Sequence, residues 1–157
     1  MKIILQRVKK AQVTIDNQIC GKISAGYVLL VGFERGDKEG LIKPMLDKIL
    51  KLKLFTDNSD KMNLDLSDIN GGLLIISQFT LSADLKKGKK PSFSRALEPD
   101  SAKMYYNIFL KEAKSSGILT QSGKFGAMMQ VTLQNDGPVT LILNSSELFP
   151  ALHAKFN

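Results

Sequence analysis

Two runs of this chain, Tyr27-Val28-Leu29-Leu30-Val31-Gly32-Phe33 and Leu73-Leu74-Ile75-Ile76-Ser77-Gln78-Phe79, are almost continuously apolar and too short for ordinary helices. Runs of that length and composition read as central strands, buried on both faces. A central strand needs a neighbour on each edge and cover on each face, so the rest of the chain must supply them.

The opening does so by alternation. Ile3, Leu5, Val8, Val13 and Ile15 precede the turn pair Asp16-Asn17, which predicts a hairpin or meander. Asp37 can cap a helix whose apolar positions Leu41, Ile42, Met45, Leu46, Ile49 and Leu50 recur at three-to-four spacing. Pro44 bends that helix or moves its start later, because proline lacks the amide donor. Leu52-Lys53-Leu54-Phe55 alternates as a strand before the polar turn at 56–60. A second helix is expected to start at Pro99-Asp100, bury Met104, Tyr105, Ile108, Phe109 and Ala113, and end at Gly117. Ala127, Met129, Val131 and Leu133 alternate with polar neighbours, and Val139 to Leu143 forms the last strand. With about seven strands, two main helices and no repeating βαβ order, the fold class is α+β: a β-rich, mixed-sheet, barrel-like single domain. The domain is placed at 1–144. The tail, 145–157, has no clear period and is left outside the core, its role unknown.

At 157 residues and 43% hydrophobic, the chain fits one domain, since domains most often run to roughly 100–150 residues. The first apolar run is too short for a signal peptide and no stretch approaches a membrane span, so a soluble cytoplasmic protein is expected. A single cysteine, Cys20, excludes an internal disulfide and any multi-cysteine metal site. The single histidine, His153, lies in the tail, a poor place for a triad base or a paired metal ligand. The net charge of +7 suits polyanionic partners and equally suits plain solubility.

Two segments carry the chemistry. Ser77-Gln78-Phe79-Thr80-Leu81 puts a hydroxyl, an amide and an aromatic ring at the end of an apolar strand. Alternation sends Ser77 and Phe79 to one face and Gln78 and Thr80 to the other. Thr80 has no histidine or lysine beside it in sequence, and an unactivated hydroxyl is a weak nucleophile, so hydrogen bonding is the preferred role. The backbone amides of Phe79 and Thr80 can stabilise an oxyanion. In Asn135-Asp136-Gly137-Pro138-Val139-Thr140, a Gly-Pro pair can aim backbone carbonyls at a ligand, or it can simply be the tip of a hairpin turn. The run Lys86-Lys87-Gly88-Lys89-Lys90-Pro91 is either a solvated loop or a phosphate contact.

With Gln6-Arg7-Val8, Gly88 to Phe93, Gly123-Lys124-Phe125-Gly126 and Met129-Gln130-Val131 in this order, the chain closely resembles D-aminoacyl-tRNA deacylase from Met1 to about Leu143. The resemblance implies a homodimer that hydrolyses the ester between a D-amino acid and the terminal adenosine of tRNA, with each active site at the interface. It implies that Ser77, Gln78, Phe79 and Thr80 of one subunit meet a cis Gly137-Pro138 of the other, which turns away L-aminoacyl esters, and that glycine is removed from mischarged tRNA(Ala). The tRNA ribose hydroxyl would help to activate water. Phe125 and Met129 match positions near the adenosine, though each can equally be core packing. Arg7 would reach the substrate end or pair across the dimer, and Lys86, Lys87, Lys89 and Lys90 would meet the acceptor stem. No metal, cofactor, membrane or DNA is implied. Lys90 stands where many members have arginine, which exchanges a bidentate phosphate fork for a point charge. A sibling group reads Pro-Gln-Ala-Thr-Leu in place of 77–81. A non-catalytic RNA-binding module is the rival reading, and a metal site from Asp57, Asp60 and Asp65 a weaker third.

Overall fold

The computed structural model describes the backbone of residues 1–86 and 88–156 and the side chains of these up to residue 154. A long strand β1 (Lys2–Ile15) turns into β2 (Gln18–Ile23) and then β3 (Gly26–Gly32). Helix α1 (Ile42–Leu50), the two-stranded β4 (Phe55–Thr56) and β5 (Met62–Leu64), and strand β6 (Gly72–Ser77) follow. Helix α2 (Pro99–Ser115), β7 (Leu119–Ser122), β8 (Gln130–Asn144) and two short helices, α3 (Ser145–Leu148) and α4 (Pro150–Phe156), complete the chain.

Asp16 and Asn17 both take positive φ between Ile15 and Gln18, the two-residue turn whose twist matches a hairpin. The main sheet runs β2-β1-β3-β6-β7, with β8 paired to β1. Pairs β3–β6 and β6–β7 are parallel, so the chain makes two helix-bearing crossovers that the lack of a regular βαβ order did not suggest. The sheet curls until β2 nears β7: a Cβ on Gly21 would stand 2.9 Å from the Ser122 carbonyl oxygen. Only glycine permits that approach.

The two apolar runs behave as central strands. Tyr27, Leu29, Val31, Leu73 and Ile75 face α1 and α2, where Met45, Ile49, Tyr106 and Phe109 are fully buried. Val28, Leu74 and Ile76 face the other way, with Val8, Val13 and Ile23. Each fully buried side chain of this size contributes about 2 kcal/mol relative to exposure. The Tyr106 hydroxyl donates to the Ile75 carbonyl at 2.8 Å, tying α2 to β6.

Three local expectations are corrected. Asp37 caps no helix: it is buried, accepts from the Glu34 amide at 2.6 Å and pairs with the Met1 ammonium. Of the two effects expected of Pro44 the structure has the later start: helix α1 begins at Ile42, with Pro44 harmless in its first turn. Of Leu52 to Phe55 only Phe55 is in a strand, because the Leu52 and Leu54 carbonyls serve the Tyr27 hydroxyl and Arg7 instead of a ladder. On α2, Met104 is half-exposed and Tyr106 takes the inward place. Gly117 follows the helix with φ +82°, as a C-terminal cap should. The tail also belongs to the core after all. Phe149 and Leu152 pack against the main cluster, and buried Ser145 accepts from the Met1 ammonium at 2.9 Å while meeting His153 Nε2 at 2.9 Å.

Candidate active site

The 77–81 segment does not stay a strand. Ser77 is the last residue of β6, and β3 ends one residue beyond its partner Val31, so no neighbour remains to pair with. The Gln78 amide makes a last bond to the Val31 carbonyl at 2.8 Å, and residues 79–82 wind into a tight turn closed by Leu81 N to Gln78 O at 3.3 Å. The alternation expected for Ser77, Gln78, Phe79 and Thr80 therefore fails at Gln78. Gln78 Nε2 donates to Thr80 Oγ1 at 2.6 Å, which leaves the hydroxyl proton of Thr80 free to be donated outward. Among the described residues no base contacts Thr80. Amides at the start of such a turn have no partner in its own ladder, and those of Phe79 and Thr80 make no bond among the described residues.

Phe79 is 58% exposed and meets Phe93 edge-on at 4.9 Å. Phe93 adjoins the neck of the basic loop, where Asp84 and Ser92 exchange backbone bonds at 2.7 and 3.0 Å. Lys86, Lys89 and Lys90 are exposed on that loop, beside the aromatic pair. Lys87 lies outside the described residues.

The second segment is not a hairpin tip. Strand β8 runs through it while paired to β1, but between the Gln6–Thr140 and Val8–Asn135 pairs two steps along β1 face five along β8. The surplus residues bulge out of the longest ladder in the molecule. The Gly137-Pro138 bond at its apex is cis, and both residues are exposed. Arg7, only 7% exposed, holds the bulge from beneath. Its Nε donates to the Asp136 carbonyl at 3.0 Å and lies 3.4 Å from the Asp136 carboxylate, while Nη1 reaches the Leu54 carbonyl. So Arg7 is an internal anchor, placed neither at the 77–81 turn nor as a free charge.

Within one subunit the two segments are apart. Strands β1 and β3 lie between β8 and β6, three strand spacings, roughly 14 Å along the sheet. Among the described residues no hydrogen bond joins them.

The D-Tyr-tRNA(Tyr) deacylase family matches residues 4–144, a span that contains both segments. The chain belongs to that family. Its deacylase relatives are similar along nearly their whole length. "D-aminoacyl-tRNA deacylase" of Clostridioides difficile (strain 630) is 46% identical over 149 residues, 95% of this chain and 100% of the relative. The protein of the same name from Thermosipho africanus (strain TCF52B) gives the same figures. Among solved structures, a "c-Myc DNA Unwinding Element Binding Protein" superposes with a TM-score of 0.86 at 39% identity, over 92% of this chain and 98% of that one. A "probable eukaryotic D-amino acid tRNA deacylase" shares the fold, with a TM-score of 0.77 at 16% identity, over 90% of this chain and 97% of that one.

Two of the deacylase motifs sit in the core wall. Phe125 is half-buried, 5.8 Å from the Tyr106 ring, and Met129 packs against Val28, Leu74 and their neighbours. Burial pushes the Tyr106 phenol well above its usual value, so this wall stays uncharged. Two residues lay inside segments that the sequence reading quoted but received no role there. Phe93 is one, signalled only as an aromatic just past Pro91. Asn135 is the other, whose side chain bridges the bulge. Two of the three carboxylates weighed for a metal are engaged: Asp57 Oδ1 accepts from the Ser59 and Lys61 amides, which hold its carboxyl below the usual range, and Asp65 accepts from the Ser67 and Asp68 amides. Among the described residues no group of three or more metal-type ligands is formed. No helix among them is long and apolar enough to cross a membrane.

Proposed function

We propose that this D-aminoacyl-tRNA deacylase acts as a homodimer, with residues 77–81 of one subunit and the Gly137-Pro138 bulge of the other closing on one ester. The observation that carries the reading is the pairing of an exposed backbone protrusion with an exposed turn that lie too far apart to serve the same ester within one chain. Ile142, 78% exposed, beside the partly buried Ile4 and Leu30 across β1 and β3, supports the dimer, because an exposed large apolar side chain on a sheet face gains from a partner's cover.

In this arrangement the Gly137 and Pro138 carbonyls accept from the substrate's α-ammonium and fill the place of an L side chain. Rejection is steric and made of backbone. Amides of Phe79 and Thr80 hold the developing oxyanion, and the Thr80 hydroxyl, oriented by Gln78, donates a hydrogen bond in place of attacking. Water, aided by the tRNA ribose hydroxyl, is the nucleophile. Phe125 and Met129 lie behind the adenosine, and Lys86, Lys87, Lys89 and Lys90 meet acceptor-stem phosphates. Glycine has no side chain to exclude, so glycyl-tRNA(Ala) is also cleaved.

A non-catalytic nucleic-acid-binding role is favoured by the exposed lysine loop and by the printed name of the related c-Myc element protein. Incubation with D-Tyr-tRNA and L-Tyr-tRNA separates the two. Faster release of the D-amino acid supports the deacylase; rates equal to buffer for both leave only binding.

A further inference from the structure

The Gly137-Pro138 bulge is held from two sides, and only one is Arg7. On the other, the Asn135 side chain spans it. Oδ1 accepts from the Val139 amide at 2.9 Å, and Nδ2 donates to Thr140 Oγ1 at 3.0 Å while lying 3.4 Å from the Val139 carbonyl. Thr140 Oγ1 also accepts from Gln6 Nε2 at 3.3 Å, which ties the bridge to β1. The ladder is interrupted here, so the Val139 amide takes its acceptor from a side chain. Asparagine is suited to this, because one planar amide offers both an acceptor and donors to nearby backbone.

Geometry links the bridge to the apex. A Cβ on Gly137 would lie 3.1 Å from the same Val139 nitrogen that Asn135 holds, and 3.0 Å from Arg7 Nη2. A shift of Val139 therefore moves the peptide planes of residues 137 and 138, while Arg7 fixes only the Asp136 side. We propose that Asn135 is a positioning residue for handedness: its amide sets where the Gly137 and Pro138 carbonyls point. This rests on the reading that those carbonyls sense the substrate's α-carbon.

The test uses the full chain, D-Tyr-tRNA and L-Tyr-tRNA, with kcat and KM measured for each ester and thermal unfolding alongside. Asn135→Leu removes the bridge while keeping the branched shape of the side chain. Its D-over-L preference falls at least about tenfold, a modest misplacement by the measure of positioned reactants, as L-Tyr-tRNA gains access, and KM for D-Tyr-tRNA rises more than its kcat falls, because the same carbonyls hold the α-ammonium. Asn135→Asp keeps the acceptor for Val139 and holds most of the preference. An Asn135→Leu protein with the original preference overturns the proposal, as does an Asn135→Asp protein that loses as much as Asn135→Leu. Should Asn135→Leu not fold, Thr140→Val, which removes the acceptor of Nδ2 at an exposed site, decides: a lowered preference supports the bridge and an unchanged one overturns it. Gly137→Ala is the control for the underlying reading. If it too leaves handedness intact, the carbonyl gate itself is wrong; if it alone abolishes handedness, only the bridge is.

Discussion

Gly137 has φ +126°, and a methyl group there would meet Val139 Cγ2 at 2.9 Å. Both facts oppose any side chain. Gly137→Ala is expected to cut kcat/KM for D-Tyr-tRNA by at least about tenfold, since it displaces the protrusion proposed to orient the ester. Steady-state kinetics check this. Thr80→Ala has a milder expected effect, because the oxyanion donors proposed are amides and survive the change. Deacylation should persist within about a hundredfold of the wild type; complete loss with tRNA binding intact would make Thr80 a nucleophile. Arg7→Met leaves the Asp136 and Leu54 carbonyls without their donor in a buried place. Losing such partners costs about 2 kcal/mol each, to be read as a lowered denaturant midpoint.

At the scale of elements, the basic loop stands on the Asp84–Ser92 neck and needs no contribution from the core. Replacing Lys86, Lys89 and Lys90 with alanine should leave the melting temperature in place while weakening tRNA binding. The slope of log affinity against log salt should drop by roughly 0.7 to 0.9 for each phosphate that the loop ceases to neutralise. An unaltered slope would return the loop to solvent. Much of the element order was legible beforehand: continuous apolar runs marked β3 and β6, Asp16-Asn17 the hairpin, Pro99 and Gly117 the limits of α2. Other readings failed for physical reasons. Leu52-Lys53-Leu54 alternates like a strand because two leucines pack inward, yet its carbonyls are taken by Tyr27 and Arg7. Asn135-Asp136-Gly137 has turn chemistry, but β1 is long enough to pair on both sides of it, so the turn became a bulge. The candidate site was legible as motifs only. In the proposed dimer, how 77–81 meets 137–138 depends on a surface that a single chain leaves uncovered.

For the molecule as a whole, α3 and α4 close the end of the barrel where Met1, Asp37, Ser145 and His153 converge. Phe149→Ala should lower stability by about 2 kcal/mol, less than for a full core phenylalanine because it is only partly buried. Alkali probes the helix-covered face of the sheet, where both phenols lie. Burial raises the phenols of Tyr27 and Tyr106 well above their ordinary 10.0. Below that value both are neutral whether folded or not, and stability is unaffected. As pH climbs past it, the unfolded chain loses these protons first, so stability should fall by up to about 1.4 kcal/mol per pH unit for each. The two phenolate signals should then appear together with loss of circular dichroism, and appearance in the folded protein would contradict their burial. The bulge between β1 and β8 also limits how such a protein can change. Ladder flanks any tip-borne loop on one side only, whereas here pairing resumes on both, so a residue gained or lost at the apex is absorbed by reshaping Gly137-Pro138 or, if passed into the ladder, flips the inward and outward faces of everything beyond it.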